Sequence, residues 1–283
     1  MPSVNTNVGA MAALQVLNAT NRSLETTQSR INTGLNVAST KDDSAKYTIA
    51  QQLRGDVGGL ASVTSSLNNA KSVSDVAVSG TEQISDILNK MKALVAQSEG
   101  TDAESTARIG KDFQAYQNQI ENIITSSGFN GINLLASPNS TGGGSSTTAL
   151  ISLQGGDGDS TTWDFEKLSL DNVDLSTKLA SVLGGSAEWA AAGSVKMEHL
   201  EDAFGEVQDV LSTLGANARR IDDQLVFTSK LSDTITSGIG NLVDADLAKE
   251  SASLQALQVK QQLGVQALSI ANQAPQTLLS LFR

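Results

Sequence analysis

The chain has 283 residues, of which 39% are hydrophobic, 17% charged and only 4% aromatic, with a formal net charge of -11. The absence of Cys excludes a disulfide framework, a thiol nucleophile and Cys-ligated zinc or iron–sulfur centres. A single His excludes the paired-His helix of zinc proteases, and the acidic balance argues against a nucleic-acid partner.

Met1-Pro2-Ser3-Val4-Asn5-Thr6-Asn7 carries neither a basic nor an apolar segment, so no cleaved secretory signal is expected. The first helix is predicted from Ala10, Leu14, Leu17, Asn21, Leu24, Gln28, Ile31 and Leu35, which follow 4-3 spacing with two polar interruptions. A second runs over 42–98, with Val63, Ala70, Val73, Ala77, Ile84, Ile87, Met91 and Leu94 on one stripe. Gly58-Gly59 and Gly80 weaken it by about 1 kcal/mol each relative to Ala, leaving tertiary packing to hold it. Thr101-Asp102-Ala103-Glu104 is a capping box that opens a third helix, and Ser127-Gly128-Phe129-Asn130-Gly131 turns the chain out of it.

From Pro138 to Gly193 the character changes. Ala149–Leu153 and Thr161–Phe165 flank Gly155-Gly156-Asp157-Gly158-Asp159 and read as a β-hairpin; the glycine–aspartate run is a tight turn rather than a calcium-binding repeat, because it occurs once. Helix returns near Val195, with Leu200, Ala203, Val207, Val210, Leu214, Ile221, Leu231, Ile235 and Leu242 in register. Asn217, Gln224 and Thr228 leave polar gaps in that stripe. The last helix is expected over 243–273. Val243, Leu247, Leu254, Leu257 and Leu268 form one seam, and Val259, Leu263 and Ile270 a stripe on another face, before Pro275 ends it. Two apolar stripes require partners on two sides. No apolar run reaches the ~20 residues of a membrane helix, so membrane insertion is not expected. The fold class is therefore mainly α: helix-rich ends, whose seams are expected to partner each other, flank a small β-hairpin region.

Several motifs in collinear order resemble bacterial flagellin. They are Asn5-Thr6-Asn7, Ser29-Arg30-Ile31-Asn32-Thr33-Gly34-Leu35, Ala38–Asp43, Phe129-Asn130-Gly131, Asp244–Glu250, Gln261-Gln262-Leu263-Gly264, Ala271–Gln276 and Leu278-Leu279-Ser280-Leu281. The resemblance implies a structural subunit of a helical tubular filament, exported through the flagellar channel and secreted to the cell exterior. It implies long coiled-coil ends pairing as an inner tube from residues 1–40 and 240–283, a core domain from 41–137 and 195–239 that is a helical bundle with the β-hairpin packed on it, and a short insertion over 138–194 in place of large outer domains. Partners implied are further copies of the chain, the export apparatus and a secretion chaperone, and the filament cap and hook–filament junction proteins. No cofactor is implied, and no enzymatic activity. A junction protein, and more remotely a secreted enzyme with a catalytic insertion, are the alternatives.

Expected assembly seams are Leu14, Leu17, Leu24, Ile31, Leu35, Val243, Leu247, Leu254, Leu257, Leu263, Leu268 and Ile270. Expected core-domain packing falls to Val73, Ile84, Ile87, Met91, Leu94, Val207, Val210, Leu214 and Ile221. Asn21, Gln28, Asn217, Gln224 and Gln261 interrupt the seams and are expected to tolerate water or fix register, as a seam Asn does in a coiled coil; the alternative is that such loosely specified seams let protofilaments slide between packings, as supercoil switching requires. Lys41-Asp42-Asp43-Ser44 is a helix start rather than a catalytic carboxylate pair, and lone His199 a structural or surface residue. Ser140, Thr141, Ser145, Ser146, Thr147 and Thr148 are candidate O-glycosylation positions, a modification known in some flagellins. The family's innate immune-receptor stretch corresponds to Leu88–Gln97, with Lys90, Met91 and Leu94 as its candidate surface. Lys90 replaces the Arg of receptor-active flagellins and Ala93 the Glu, which removes a bidentate donor.

Overall fold

The structure, a computed structural model, describes residues 6–98, 103–138, 144–152, 166–183 and 197–281. In chain order these form α1 (Val8–Thr33), α2 (Ser44–Ser98), α3 (Ala103–Ser126), β1 (Gly128–Phe129), β2 (Ile132–Asn133), β3 (Thr147–Leu150), β4 (Lys167–Leu170), α4 (Leu175–Leu183), α5 (Met197–Val243) and α6 (Leu247–Leu281). The mainly α class is as expected. The chain divides into two compact units, Met1–Gly55 with Thr234–Arg283, and Asp56–Asp233. The divisions lie within α2 and α5.

In the first unit α1 and α6 pair antiparallel. Asn7 meets Ala271, Asn21 meets Gln261 and Arg30 meets Glu250 along the pair. Gly34 ends α1 in the left-handed region at φ 72°, its N–H donating to the Arg30 carbonyl at 2.9 Å. The loop that follows is stitched to the α5–α6 junction. Asn36 and Val37 donate to the Val243 carbonyl, Ala245 donates to the Gly34 carbonyl, and Leu35 bridges Asp244. Val37, Ala50 and Val243 are buried there together. Val243 therefore closes α5 instead of opening the last helix. Asp246 caps α6, its carboxylate accepting from Ala248 and Lys249 N–H at 3.0 and 3.1 Å.

In the second unit α2 buries Leu60, Val63, Leu67, Ala70, Ser74, Ala77, Thr81, Ile84, Leu88, Met91 and Val95, an unbroken 3-4 repeat. α5 answers with Leu200, Ala203, Val207, Val210, Leu214 and Ile221. The two helices run antiparallel, with Lys71 paired to Asp222 and Lys92 to Glu201. α2 buries Val73 and Ile87 as well, on a flank of this repeat. Phe113, Ile120 and Ile124 of α3 and Leu175, Leu179 and Leu183 of α4 complete the same core.

β1 and β2 form a two-residue hairpin across Asn130-Gly131, both at positive φ (52° and 79°), the geometry of a type I′ turn. β3 pairs antiparallel with β4 in the register Thr147↔Leu170 to Leu150↔Lys167. The partner strand is thus Lys167–Leu170; the expected strand at 161–165 and the expected turn at 155–159 lie outside the described residues. Lys-Leu-Ser-Leu alternates outward and inward, with Leu168 and Leu170 buried.

Two further differences concern helices. α4 is absent from the sequence-based expectation, although Leu175, Leu179 and Leu183 repeat at i, i+4. α6 continues through Pro275 to Leu281 rather than ending before it.

Candidate functional site

α1 turns Ala10, Ala13, Leu17, Thr20, Leu24, Thr27 and Ile31 toward α6, each buried or half-buried. From α6 the facing positions are Glu250, Leu254, Leu257, Gln261, Gly264, Leu268 and Ala271. Both sets follow the 3-4 spacing of a coiled coil, so the pair is held along a narrow strip. Gly264 lets Leu17 approach, a Cβ there falling 3.3 Å from Leu17 Cδ1.

Of the predicted seam residues, Leu17, Leu24, Ile31, Leu254, Leu257 and Leu268 lie on this strip, while Leu35 and Val243 belong to the small core at the α5–α6 junction. Leu14 does not lie on it: the intervening α1 positions are Ala13, Thr20 and Thr27, which leaves Leu14 and Gln28 exposed. Leu247, Leu263 and Ile270 are exposed as well, the last two to 57% and 69%, together with Val259 and Val265. α1 likewise exposes Val8, Met11 and Val16. Large apolar side chains are thus left open on both helices, away from the strip that joins them.

Polar contacts punctuate the strip. Gln261 Nε2 donates to Asn21 Oδ1 at 2.8 Å, and Arg30 Nη1 lies 3.2 Å from Glu250 Oε1. In the other unit Gln224 Nε2 donates to the Ile151 carbonyl at 3.1 Å, tying α5 to the strand region. Asn217 is half-buried.

The predicted core residues Val73, Ile84, Ile87, Met91, Val207, Val210, Leu214 and Ile221 are all buried, and Leu94 is half-buried. Met91, at 0% exposure, cannot belong to a receptor surface, because the 3-4 repeat of α2 points it at α5; Lys90 is exposed beside it. Ser140 and Thr141 lie outside the described residues. Ser146 and Thr148 are exposed, and Ser145 and Thr147 half-buried. His199 is exposed on α5.

The neighbouring acids Asp42 and Asp43 have separate structural tasks. Asp43 Oδ1 accepts from Lys46 N–H at 3.1 Å and caps α2. Asp42 Oδ2 accepts from the Ser39 N–H, the Ser39 hydroxyl and the Ala38 N–H, and these bonds, led by the Ser39 N–H, hold its carboxyl below 3.8.

A cluster the sequence did not reveal sits behind the β1–β2 hairpin. Buried Asn133 donates to the Ile124 carbonyl at 2.7 Å and accepts from Leu135 and Ala136 N–H. Asn172 donates to the Asn133 and Ala136 carbonyls. Gly144 passes so close to Ala136 that a Cβ would lie 1.8 Å from its carbonyl oxygen. The members, Asn133, Gly144 and Asn172, lie too far apart in sequence for any local pattern to join them.

Comparison with known proteins now decides the family. The model of the bacterial flagellin N-terminal helical region matches residues 4–140, and that of the C-terminal helical region residues 197–282. Flagellin FljK of Caulobacter vibrioides is 41% identical over 99% of this chain and 98% of its own length. Flagellin of Brucella melitensis and flagellin C of Rhizobium meliloti are each 34% identical over the full length of both chains. The chain belongs to the bacterial flagellin family. As a flagellin it is a structural subunit of the flagellar filament, polymerising with further copies outside the cell. Bacillus cereus flagellin, a solved structure, aligns at a TM-score of 0.47 and 22% identity, over 56% of this chain and 85% of that one. The flagellin motifs that suggested the family are structural elements here: Thr33-Gly34-Leu35 is the end of α1, Phe129-Asn130-Gly131 the hairpin, and Asp244–Glu250 the junction and cap of α6.

Proposed function

We propose that the terminal helices are the polymerising element, ordered along the filament axis by contacts with other copies. The supporting observation is the open apolar surface of α1 and α6: Val8, Met11 and Val16 on one, Val259, Leu263 and Ile270 on the other. A narrow two-helix strip of Ala, Thr and Leu leaves such side chains in water, and isolated helices gain little stability from propensity alone. On this reading residues 1–40 and 240–283 form the inner tube. Residues 41–137 and 195–239, with the short 138–194 insertion, form a helical core domain whose core holds without neighbours. The terminal helices are disordered in the free subunit and fold on polymerisation.

The rest of the life cycle is proposed on the same basis. The subunit leaves through the flagellar export apparatus with a secretion chaperone, and assembles between hook–filament junction proteins and the filament cap. It has no catalytic role. O-glycosylation at Ser146 and Thr148, both exposed, is a further proposal; an intact mass equal to the bare chain ends it. Lys90 and Leu94 stay available to an immune receptor with weakened affinity, and a reporter response equal to that of a strong agonist contradicts this.

The deciding experiment is salt-induced assembly of the purified subunit followed by negative-stain microscopy. Long filaments are expected, whereas short rings would indicate a junction protein. In parallel, amide exchange within α1 and α6 is expected to be fast in the free subunit and slow in filaments. A free subunit protected along both helices overturns folding on assembly.

A further inference from the structure

α6 does not stop at Pro275, and this leaves one hydrogen bond to be accounted for. In a continuous helix the N–H of residue 275 donates to the carbonyl four residues earlier, that of Ala271, and proline has no N–H to give. The Ala271 carbonyl is not left bare. Asn7 Nδ2 donates to it at 2.6 Å, from the far end of the sequence. The same side chain starts α1, its Oδ1 accepting the Ala10 N–H at 3.0 Å.

We propose that Asn7 and Pro275 form a latch in which each terminal helix is completed by the other. Asn7 supplies the donor that Pro275 withholds, and in doing so fixes the first turn of α1 against the point where α6 passes its proline. The residue type follows from the two partners. An N–H must meet an oxygen and a carbonyl must meet an N–H, so the amide orientation is set at both ends. An ionised aspartate offers only acceptors, and a serine hydroxyl, though it can both donate and accept, is shorter than the amide that spans the two partners. Without the latch, the Ala271 carbonyl lacks the N–H four residues on that an unbroken helix would supply. With it, the part of α6 beyond Pro275 and the start of α1 order together. The device rests on the proposal that both helices pair in the filament.

Filaments of the full chain test it by their melting temperature. Asn7→Asp keeps the N-cap acceptor and adds a charge suited to a helix start, so a residue that is only a cap predicts no loss. The latch predicts a fall of roughly 4 °C, because carboxylate and carbonyl oxygens then face each other. Asn7→Ser also keeps a cap while losing the reach to Ala271, and is expected to lower melting in the parent chain but far less in Pro275→Ala, where residue 275 regains its N–H. If Asn7→Ser prevents assembly, Pro275→Ala is expected to restore it. Equal effects of Asn7→Ser with and without Pro275→Ala, or an unchanged melting temperature in Asn7→Asp, overturn the latch. Free amide exchange along α1 and α6 in parent filaments would instead overturn the pairing on which it rests.

Discussion

Gly80 shows how far a single residue's role depends on what it faces. By helix propensity alone, replacing a mid-helix glycine with alanine gains about 1 kcal/mol. At Gly80 a Cβ would lie 2.3 Å from Ser127 Oγ and 3.2 Å from Leu135 Cδ1. Ser127 is itself held by its bond to the Ile123 carbonyl at 2.6 Å, so it cannot simply swing aside. Gly80→Ala is therefore expected to destabilise the subunit by about 1–3 kcal/mol, the usual cost of overpacking. Exposed Gly58 has open space around its Cβ position, and Gly58→Ala is expected to stabilise by up to about 1 kcal/mol. Urea denaturation of both variants checks the opposite signs. Asp42 carries a pH prediction. Its carboxyl titrates below the unfolded value of 3.8, so its contribution is present above that pH and lost as pH falls through the folded value. Asp42→Ala is expected to lower filament melting near pH 7, with the difference from the parent closing below pH 3.8.

At the scale of elements, Asn133 joins α3, the β1–β2 hairpin and the segment leading to β3. Its amide satisfies the Ile124 carbonyl and the Leu135 and Ala136 N–H groups, and the Ser145 N–H donates to its own carbonyl. Asn133→Ala leaves those buried groups unpaired and is expected to cost about 2–4 kcal/mol, read as a lower thermal midpoint of the subunit by circular dichroism. Element existence was legible where one period ran long. The 3-4 repeats of α2 and α5 are visible in sequence because their apolar residues occupy a single strip over many turns. In α1 the same reasoning selected Leu14 over Ala13. That helix carries large apolar side chains on more than one face, and hydrophobicity cannot tell a seam closed within the chain from a face left open. β4 and α4 were missed for another reason. Lys167–Leu170 carries no β-branched or aromatic residue to mark it as a strand, and a nine-residue helix offers too few turns to establish a period.

For the whole molecule, the decisive property is where burial stops. The Asp56–Asp233 unit buries a continuous core among its own helices and strands, though Val226 and Phe227 stay exposed on it, whereas α1 and α6 share only a narrow strip and leave Leu263 and Ile270 open. The double variant Leu263→Ser, Ile270→Ser is accordingly expected to leave subunit melting unchanged and to abolish salt-induced filaments. Filaments of normal length from that variant would show that this face is not an assembly surface.

The sequence by itself determined that the chain is helical, that its ends carry long seams, and to which family it belongs, because periodicity and motif order are local or collinear properties. Only the tertiary structure decided which side of α1 faces α6, where β4 begins, and why α6 survives Pro275. Each of these depends on a partner distant in sequence: a facing helix, a strand beyond a loop, an amide from residue 7. Such contacts are set by packing and by hydrogen-bond satisfaction, and neither is written in the spacing of a single segment.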